Sequence, residues 1–401
     1  MKRIGFIALA VGLASAALFG GTLQESSAAD PRAAERIAVR GLQLQQQARA
    51  TGNPALYPRV ERELRAALEL EPANATALRG LAALAASRHR FAESLEHAER
   101  ARRHEPQVAA VYGLIGDAQL ELGRYPQAFA AFERMARLKP SSSAYTRVSY
   151  ARELLGDLDG AILVMELAVD ASIGVAEASA WTRTLLANLL LSQQRTGEAE
   201  PRYREALAFV PGYPAALAGL GDIRAAQGDH AGAAVLYRRA AAQAPVPEFS
   251  AALGDLLERL GRRAEAERAW KRAERSERLF AANGGRNLLE TAEFDLDHDR
   301  KVRSALDRAR RGRAERPSVE GDHVLAWALY KNDRCAEARA VSIRSLRLGT
   351  LDVDGLYHHS LIEACLGNRE AAELYRSKVR RLDPGYAAEA PSARRFAAAA
   401  G

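Results

Sequence analysis

The strongest constraint on the fold is a pattern of small, aromatic and proline residues that repeats along most of the chain. One copy runs from Ala75 to Pro106, and the next runs from Ala109 to Pro140. Within each copy, apolar residues recur at intervals of three and four, which places them on one face of a helix. A turn divides each copy and a proline follows it, so each copy predicts two consecutive helices.

Small residues occur in each copy where its two helices would cross. Gly116 and Ala128 hold these places in one copy, and Gly221 and Ala233 hold them in a later one. Only a short side chain lets two helix backbones approach to about 8–10 Å. The low share of aromatic residues, 6%, also favours helices over sheets. Because one helix pair cannot bury its apolar face alone, the pairs must stack into a continuous core.

This pattern resembles the tetratricopeptide repeat (TPR), a helix-turn-helix unit of about 34 residues. The resemblance implies an all-α fold, a right-handed TPR superhelix (α-solenoid) of about ten repeats. Breaks in the register predict repeats one to seven in residues 31–280, repeats eight to ten in residues 286–386, and a C-terminal tail in residues 387–401. Residues 172–179 interrupt the register between the fourth and fifth repeats, and residues 281–285 interrupt it between the seventh and eighth. The second break is the better candidate for a bend, because its adjacent glycines, at 284 and 285, end helices.

The resemblance also implies a role: a scaffold or adaptor, not an enzyme, that holds a peptide or protein partner in its concave groove. In this family, the first helix of each pair lines the groove. Carried over position by position, the implied groove residues are Arg79, Asp117, Tyr150, Trp181, Asn188, Asp222, Asp255, Trp327, Tyr330 and Tyr357. Large aromatic residues and arginine suit such a surface, since they supply much of the contact energy at interfaces. Ordinary packing stays an open alternative for each of them.

The N-terminal segment has the three parts of a signal peptide. Lys2 and Arg3 precede an apolar run, and small residues follow at positions 27–29. We therefore predict a signal peptide in residues 1–29, with cleavage near Ala29 and a secreted or periplasmic chain. An uncleaved segment that tethers the chain to a membrane is the alternative. No later segment of the sequence approaches the roughly 20 apolar residues that cross a bilayer.

Positive charge concentrates between Arg259 and Arg316. This stretch predicts an alternative function, the binding of an anionic envelope polymer such as a polysaccharide, or of lipid headgroups. Solvated helix faces with internal ion pairs, such as Glu267 with Lys271, are the competing interpretation. Aromatic residues are not interleaved with the arginines as they are in nucleic-acid sites, so nucleic acid is not an expected partner.

Catalytic and cofactor motifs are missing from the sequence. It contains neither a Gly-x-Ser-x-Gly elbow nor a His-Glu-x-x-His helix, so we predict no enzyme activity, no cofactor and no metal. Residues 295–299 begin like a calcium loop, but Arg300 and Leu306 occupy the positions where that loop needs glycine and glutamate. These aspartates are expected instead to cap a helix in the turn of the eighth repeat.

The two cysteines, Cys335 and Cys365, fall at the same end of adjacent predicted hairpins. An oxidising compartment would permit a disulfide between them. Two buried free thiols that act as small apolar side chains are the alternative.

Overall fold

The computed structural model describes residues 32–386, and these residues form twenty α-helices and one short 3-10 helix. The predicted signal segment and the predicted C-terminal tail lie outside the described residues. None of the described helices is both long and apolar enough to cross a membrane. The helices α1 to α20 are, in order, Ala33–Thr51, Tyr57–Leu70, Ala75–Ser87, Phe91–His104, Ala109–Glu121, Tyr125–Leu138, Ser142–Leu154, Leu158–Asp170, Ala176–Ser192, Thr196–Phe209, Pro214–Ala226, His230–Gln243, Pro247–Arg259, Arg263–Ala282, Leu288–Asp297, Val302–Glu315, Val319–Tyr330, Cys335–Ser345, Val353–Cys365 and Arg369–Leu382.

Consecutive helices form ten antiparallel pairs, α1 with α2 through α19 with α20. Each pair packs against the next except between α14 and α15, and the predicted all-α solenoid of stacked helix pairs is confirmed. The crossings use small residues as expected. A Cβ atom on Gly116 would lie 2.3 Å from the ring of Phe132, and one on Gly254 would lie 2.3 Å from the indole of Trp270. The aromatic side chain of the second helix therefore fills the space that the glycine leaves.

The two helices of most pairs are joined by a turn with one residue in the left-handed backbone conformation. Glycine holds this position at Gly123 and Gly156, with φ of 70° and 75°. A left-handed turn suits glycine because it has no Cβ to clash with the neighbouring carbonyl. These two turns also meet distant segments of the chain, which adds a second reason for glycine.

The solenoid curves until its early turns touch its late loops. The backbone N–H of Arg286 donates to the carbonyl of Arg88 over 3.1 Å, and the hydroxyl of Thr350 donates to the carbonyl of Leu154 over 2.6 Å. Between them, the hydroxyl of Tyr125 accepts from the backbone N–H of Val319. The turns of pairs two, three and four thus contact the loops that follow pairs seven, eight and nine. We call this set of contacts the closure.

The loop at residues 283–287 interrupts the stacking of neighbouring pairs. Helix α14 is longer than its counterparts, with 20 residues, and α15 does not pack closely along it. His298 bridges the gap: its ring donates a 2.8 Å hydrogen bond to the carboxylate of Asp255 and contacts Trp270 edge-on at 4.8 Å. The predicted division into residues 31–280 and 286–386 falls at this loop and stays a prediction.

A disulfide joins the last two pairs. Cys335 is the first residue of α18, Cys365 is the last residue of α19, and their Cα atoms are 6.2 Å apart. Of the two interpretations that the sequence leaves open, the structure contains the bridge. It links the turn ends of adjacent hairpins, as the repeat register implies.

Candidate functional site

The first helices of successive pairs surround a central cavity of about 1670 Å³. Its lining extends from His89, in the turn of the second pair, to Gly355, at the start of the tenth. Pockets for small molecules usually have volumes of about 300–1,000 Å³. The central cavity is therefore large enough for a segment of polypeptide.

Six of the ten implied groove residues lie on the wall of this cavity. They come from five consecutive first helices, α5 to α13: Asp117, Tyr150, Trp181, Asn188, Asp222 and Asp255. Arg79 lies earlier in the chain and forms a 3.0 Å ion pair with Glu105. Whether any of these seven residues contacts a partner stays a prediction.

The three aromatic residues implied for the last pairs are core residues rather than wall residues. Trp327 is 1% exposed, stacks on His358 with ring centroids 3.7 Å apart, and lies beside Tyr330. Tyr357 packs edge-on against Tyr386, which follows α20. Large rings gain more from burying their surface against one another than from facing water. The groove assignment of Trp327, Tyr330 and Tyr357 is corrected accordingly.

Three wall residues are held in place by aromatic side chains of the second helices. The hydroxyl of Tyr203 donates to Asn188, and the hydroxyl of Tyr237 donates to Asp222, both over 2.6 Å. The indole N–H of Trp270 donates to Asp255 over 2.9 Å. The two partners are 15 residues apart in all three cases. The repeat register therefore positions one polar wall residue in each of these three helix pairs.

The main property of the wall that sequence reasoning missed is its negative charge. Eighteen carboxylates line the cavity against eight arginines and lysines, whereas the whole chain has a formal charge of +7. The carboxylates belong to Asp117, Glu121, Glu153, Asp222, Glu248, Asp255, Glu258, Glu267, Glu274, Glu277, Glu290, Glu293, Asp295, Asp297, Asp299, Glu320, Asp352 and Asp354. Marking every acidic residue on the inward face of each first helix would have found part of this set.

One group of carboxylates lies at the interrupted stacking between α14 and α15. Glu248, Glu277 and Glu290 approach one another from α13, α14 and α15. Burial, reinforced by the charge of Glu248, raises the pKa of Glu277 to about 8. Burial also raises the pKa of Glu248 to about 6. Sequence reasoning missed Glu277 because the family pattern assigns the groove to first helices, whereas the long α14 is a second helix.

A second group of carboxylates lies on the last three first helices. Potential ligand atoms of Glu293, Glu320 and His323 all lie within 4.8 Å of one another. A ring nitrogen of His323 is 3.0 Å from His358, which orients the imidazole. Burial, together with the charge of Glu293, raises the pKa of Glu320 to about 7. Two carboxylates and an imidazole are donors that zinc or manganese accepts, although the sequence motifs predict no metal.

Of the aspartates in residues 295–299, Asp295 and Asp297 belong to the last turn of α15, and only Asp299 lies in the expected turn. Asp295 pairs with Arg308 at 2.5 Å, Asp297 accepts from the indole of Trp327, and Asp299 pairs with Lys331. Helix α16 begins without any side-chain cap. The capping prediction is therefore wrong, because partners on α16 and α17 compete successfully for the carboxylates.

The arginine-rich stretch from Arg259 to Arg316 contains many internal ion pairs. Arg262 pairs with Glu265 at 2.6 Å, and Arg300 pairs with Glu274 at 2.7 Å. Lys271 lies 3.7 Å from Glu267, the pair that the sequence suggested. Several cations of this stretch are thus already matched by carboxylates of the same chain.

Comparison with protein families identifies repeats in the middle of the chain, between residues 84 and 246. The tetratricopeptide-repeat model matches residues 84–143, 114–176 and 184–246. These ranges cover α4 to α12, except for residues 177–183 of α9, and the closing residues of α3. No curated protein sequence matches the chain.

Several solved structures match the chain at low sequence identity. A thermophilic TPR protein of Thermus thermophilus is 22% identical, over 45% of this chain and 92% of its own, with a TM-score of 0.40. A TPR protein from Parabacteroides merdae is 15% identical, over 62% of this chain and 98% of its own, with a TM-score of 0.43. A chain of the APC/C hetero-tetramer Cut9-Hcn1 is 13% identical, over 90% of this chain and 76% of its own, with a TM-score of 0.41.

Proposed function

Because this chain is a tetratricopeptide-repeat protein, we propose that it is a scaffold that holds an extended segment of a partner protein in its central cavity. TPRs generally mediate protein–protein interactions, and stacked repeats create extended concave surfaces for that purpose. The observation that carries the proposal is the continuous wall that α5 to α13 contribute to the cavity.

The closure favours an extended segment over a folded domain. The turns of pairs two to four already contact the loops after pairs seven to nine, so a folded partner would have to separate these contacts before entering. An extended segment needs no such separation. The half-buried rings of Tyr150 and Trp181 offer it apolar contact on the wall.

We place this scaffold outside the cytoplasm, in the cell envelope or the extracellular space. Two features support that location: the signal-like pattern of residues 1–29 and the disulfide between Cys335 and Cys365, since disulfides persist in oxidising compartments. Fractionation of the source cells, with N-terminal sequencing of the recovered chain, tests it. A chain recovered in the cytoplasm with residues 1–29 intact would contradict this location.

An anionic envelope polymer is the second candidate partner, bound through the arginine-rich stretch from Arg259 to Arg316. Within this stretch, ten arginines and lysines lie outside the cavity lining, against three acidic residues. Such an excess attracts polyanions, and the attraction is screened by salt. Polymer binding should weaken steeply between about 50 and about 300 mM NaCl and should be indifferent to Trp181→Ala.

Site-specific crosslinking in the source cells tests the scaffold function. A photoreactive amino acid at Trp181 lies on the cavity wall, and the same group at Leu163, which is 64% exposed on α8, provides the matched control. We expect position 181 to capture a protein that position 163 does not. Capture of no protein, or of the same set of proteins from both positions, would contradict a partner held in the cavity.

A further inference from the structure

The cavity and the rest of the molecule carry opposite charge. The wall has a formal excess of ten negative charges, whereas the chain as a whole is positive. Five of the eight wall cations lie within ion-pair distance of wall carboxylates: Arg147 of Asp117 at 2.6 Å, Arg278 and Arg300 of Glu274 at 4.0 and 2.7 Å, Arg308 of Asp295 at 2.5 Å, and Arg316 of Glu121 at 2.9 Å. The negative excess therefore lies among the remaining carboxylates.

The carboxylates at the interrupted stacking leave acceptor atoms for a ligand. Oε2 of Glu248 and Oε2 of Glu290 are buried without a hydrogen-bond partner. The other oxygen of Glu290 accepts from Arg316, and both oxygens of Glu277 accept from the amide of Asn287. The same amide has a buried oxygen, Oδ1 of Asn287, that also has no hydrogen-bond partner. Buried acceptors of this kind cost free energy until a donor reaches them.

The second group of carboxylates extends the negative wall along the last pairs. Glu293, Glu320 and Asp352 are close enough for each charge to affect its neighbours, and Asp354 lies beside them. The same two causes raise the pKa of Glu277 and of Glu320, burial first and then the charge of a neighbouring carboxylate. A cationic ligand would offset that carboxylate charge at both places.

The distribution of these groups favours a chain-like cation over a single ion. The two groups lie on different sets of helices, α13 to α15 and α15 to α19, and Tyr150 and Trp181 lie on the same cavity wall. Rings of this kind attract lysine and arginine through their π-faces. One metal ion can satisfy at most one of the groups, whereas a polypeptide with several cationic side chains can reach both.

Building on the scaffold function, we propose that the cavity binds a lysine- or arginine-rich extended segment of the partner protein. Its ammonium or guanidinium groups donate to Glu248, Glu277 and Glu290 in one group and to Glu293 and Glu320 in the adjacent group, since Glu290 and Glu293 lie one turn apart on α15. Such an extended segment can enter the cavity without breaking the contacts of the closure.

Fluorescence anisotropy with the purified full chain tests this assignment. The probe is a labelled peptide of about ten residues that alternates lysine with glycine, matched to glutamine–glycine and glutamate–glycine peptides. We expect the lysine peptide to bind at least about tenfold more tightly than either matched peptide, because charge complementarity sets the specificity. Glu248→Gln with Glu277→Gln, and separately Glu320→Gln, should each weaken its binding about tenfold. Glu133→Gln, at a site 66% exposed and outside the cavity, should leave it unchanged.

Three results would overturn the assignment. Equal binding of the glutamine peptide would show that the cavity takes polypeptide without regard to charge, which leaves the scaffold function standing. Equal weakening by Glu133→Gln would place the lysine peptide on the outer surface. Binding of spermine as tight as that of the lysine peptide would identify a small polyamine as the occupant. The crosslinking experiment at Trp181 tests the scaffold function separately.

Discussion

The guanidinium of Arg316 lies 2.9 Å from the carboxylate of Glu121, although 195 residues separate the two in sequence. Both side chains are almost fully buried, and Glu290 completes the cluster at 2.5 Å from the same guanidinium. Arg316 ends the eighth pair and Glu121 ends the first helix of the third, so this ion cluster fastens the closure from inside. Removing one member of such a cluster leaves the others charged, buried and unmatched.

Arg316→Met should therefore destabilise the chain strongly, by about 3–5 kcal/mol. Urea unfolding followed by circular dichroism measures the loss. Arg310→Met is the control, because Arg310 pairs with Asp307 on the surface, where both side chains are well exposed. We expect the control to stay within about 0.5 kcal/mol of wild type. Equal losses in the two variants would show that the buried cluster does not hold the closure.

Gly123→Ala should push the turn of pair three away from the loop that follows pair eight. A Cβ at this position would lie 2.2 Å from the carbonyl oxygen of Pro317, so the turn of pair three and the loop after pair eight must move apart. Gly228 has the same place in its own turn and a similar φ of 81°, but nothing lies within 4 Å of its Cβ position. Both alanine variants should lose about 1 kcal/mol through the left-handed backbone.

Small-angle X-ray scattering separates the two effects of these alanine variants. Only Gly123→Ala should increase the radius of gyration, since only its side chain enters the closure. A matched increase in Gly228→Ala, or none in Gly123→Ala, would mean that the closure does not set the shape of the chain in solution.

Reduction of the disulfide should destabilise the last two pairs. Cys335 and Cys365 close a loop with a sequence separation of 30, which corresponds to about 3–4 kcal/mol in the chain-entropy description. Thermal unfolding with and without reductant measures the difference. The Cys335→Ala, Cys365→Ala double variant should unfold early in both conditions and show no response to reductant. Identical wild-type curves in the two conditions would argue against the bridge.

The free energy of unfolding should fall as pH rises, because Glu277 loses its proton. Burial raises the pKa of this carboxyl from 4.5 to about 8 in the folded chain, so the folded state binds the proton more tightly than the unfolded state does. The stabilising contribution of the proton is complete below the unfolded pKa and is lost as pH rises through about 8. Glu277→Gln cannot ionise, so its stability should decline less between about pH 5 and about pH 9, by at least about 1 kcal/mol.

Urea unfolding at both pH values measures this decline for the wild type, Glu277→Gln and Glu133→Gln. The Glu133 variant should follow the wild type, because that side chain is exposed. Parallel decline of all three chains would show that Glu277 ionises freely in the folded state.

The arrangement of helices was predictable from sequence because it depends on local spacing. Apolar residues at intervals of three and four form helix faces, and small residues such as Gly116 leave room for a ring such as Phe132 in the adjacent helix. The positions of the wall residues Asn188, Asp222 and Asp255 also follow from the register, since each has its aromatic partner 15 residues later. These relations repeat within one unit of about 34 residues, so one unit predicts the next.

Contacts between distant repeats were decided by the tertiary structure, because they depend on the sum of small rotations between successive helix pairs. The sequence alone does not show that Arg316 meets Glu121, that Glu248 and Glu277 face one cavity, or that Trp327 packs under His358 instead of on the wall. Each of these contacts joins different repeats, and its geometry depends on the curvature accumulated between them. The sequence by itself determined a stack of helix pairs, and only the curvature of that stack turned scattered acidic residues into a negatively charged interior.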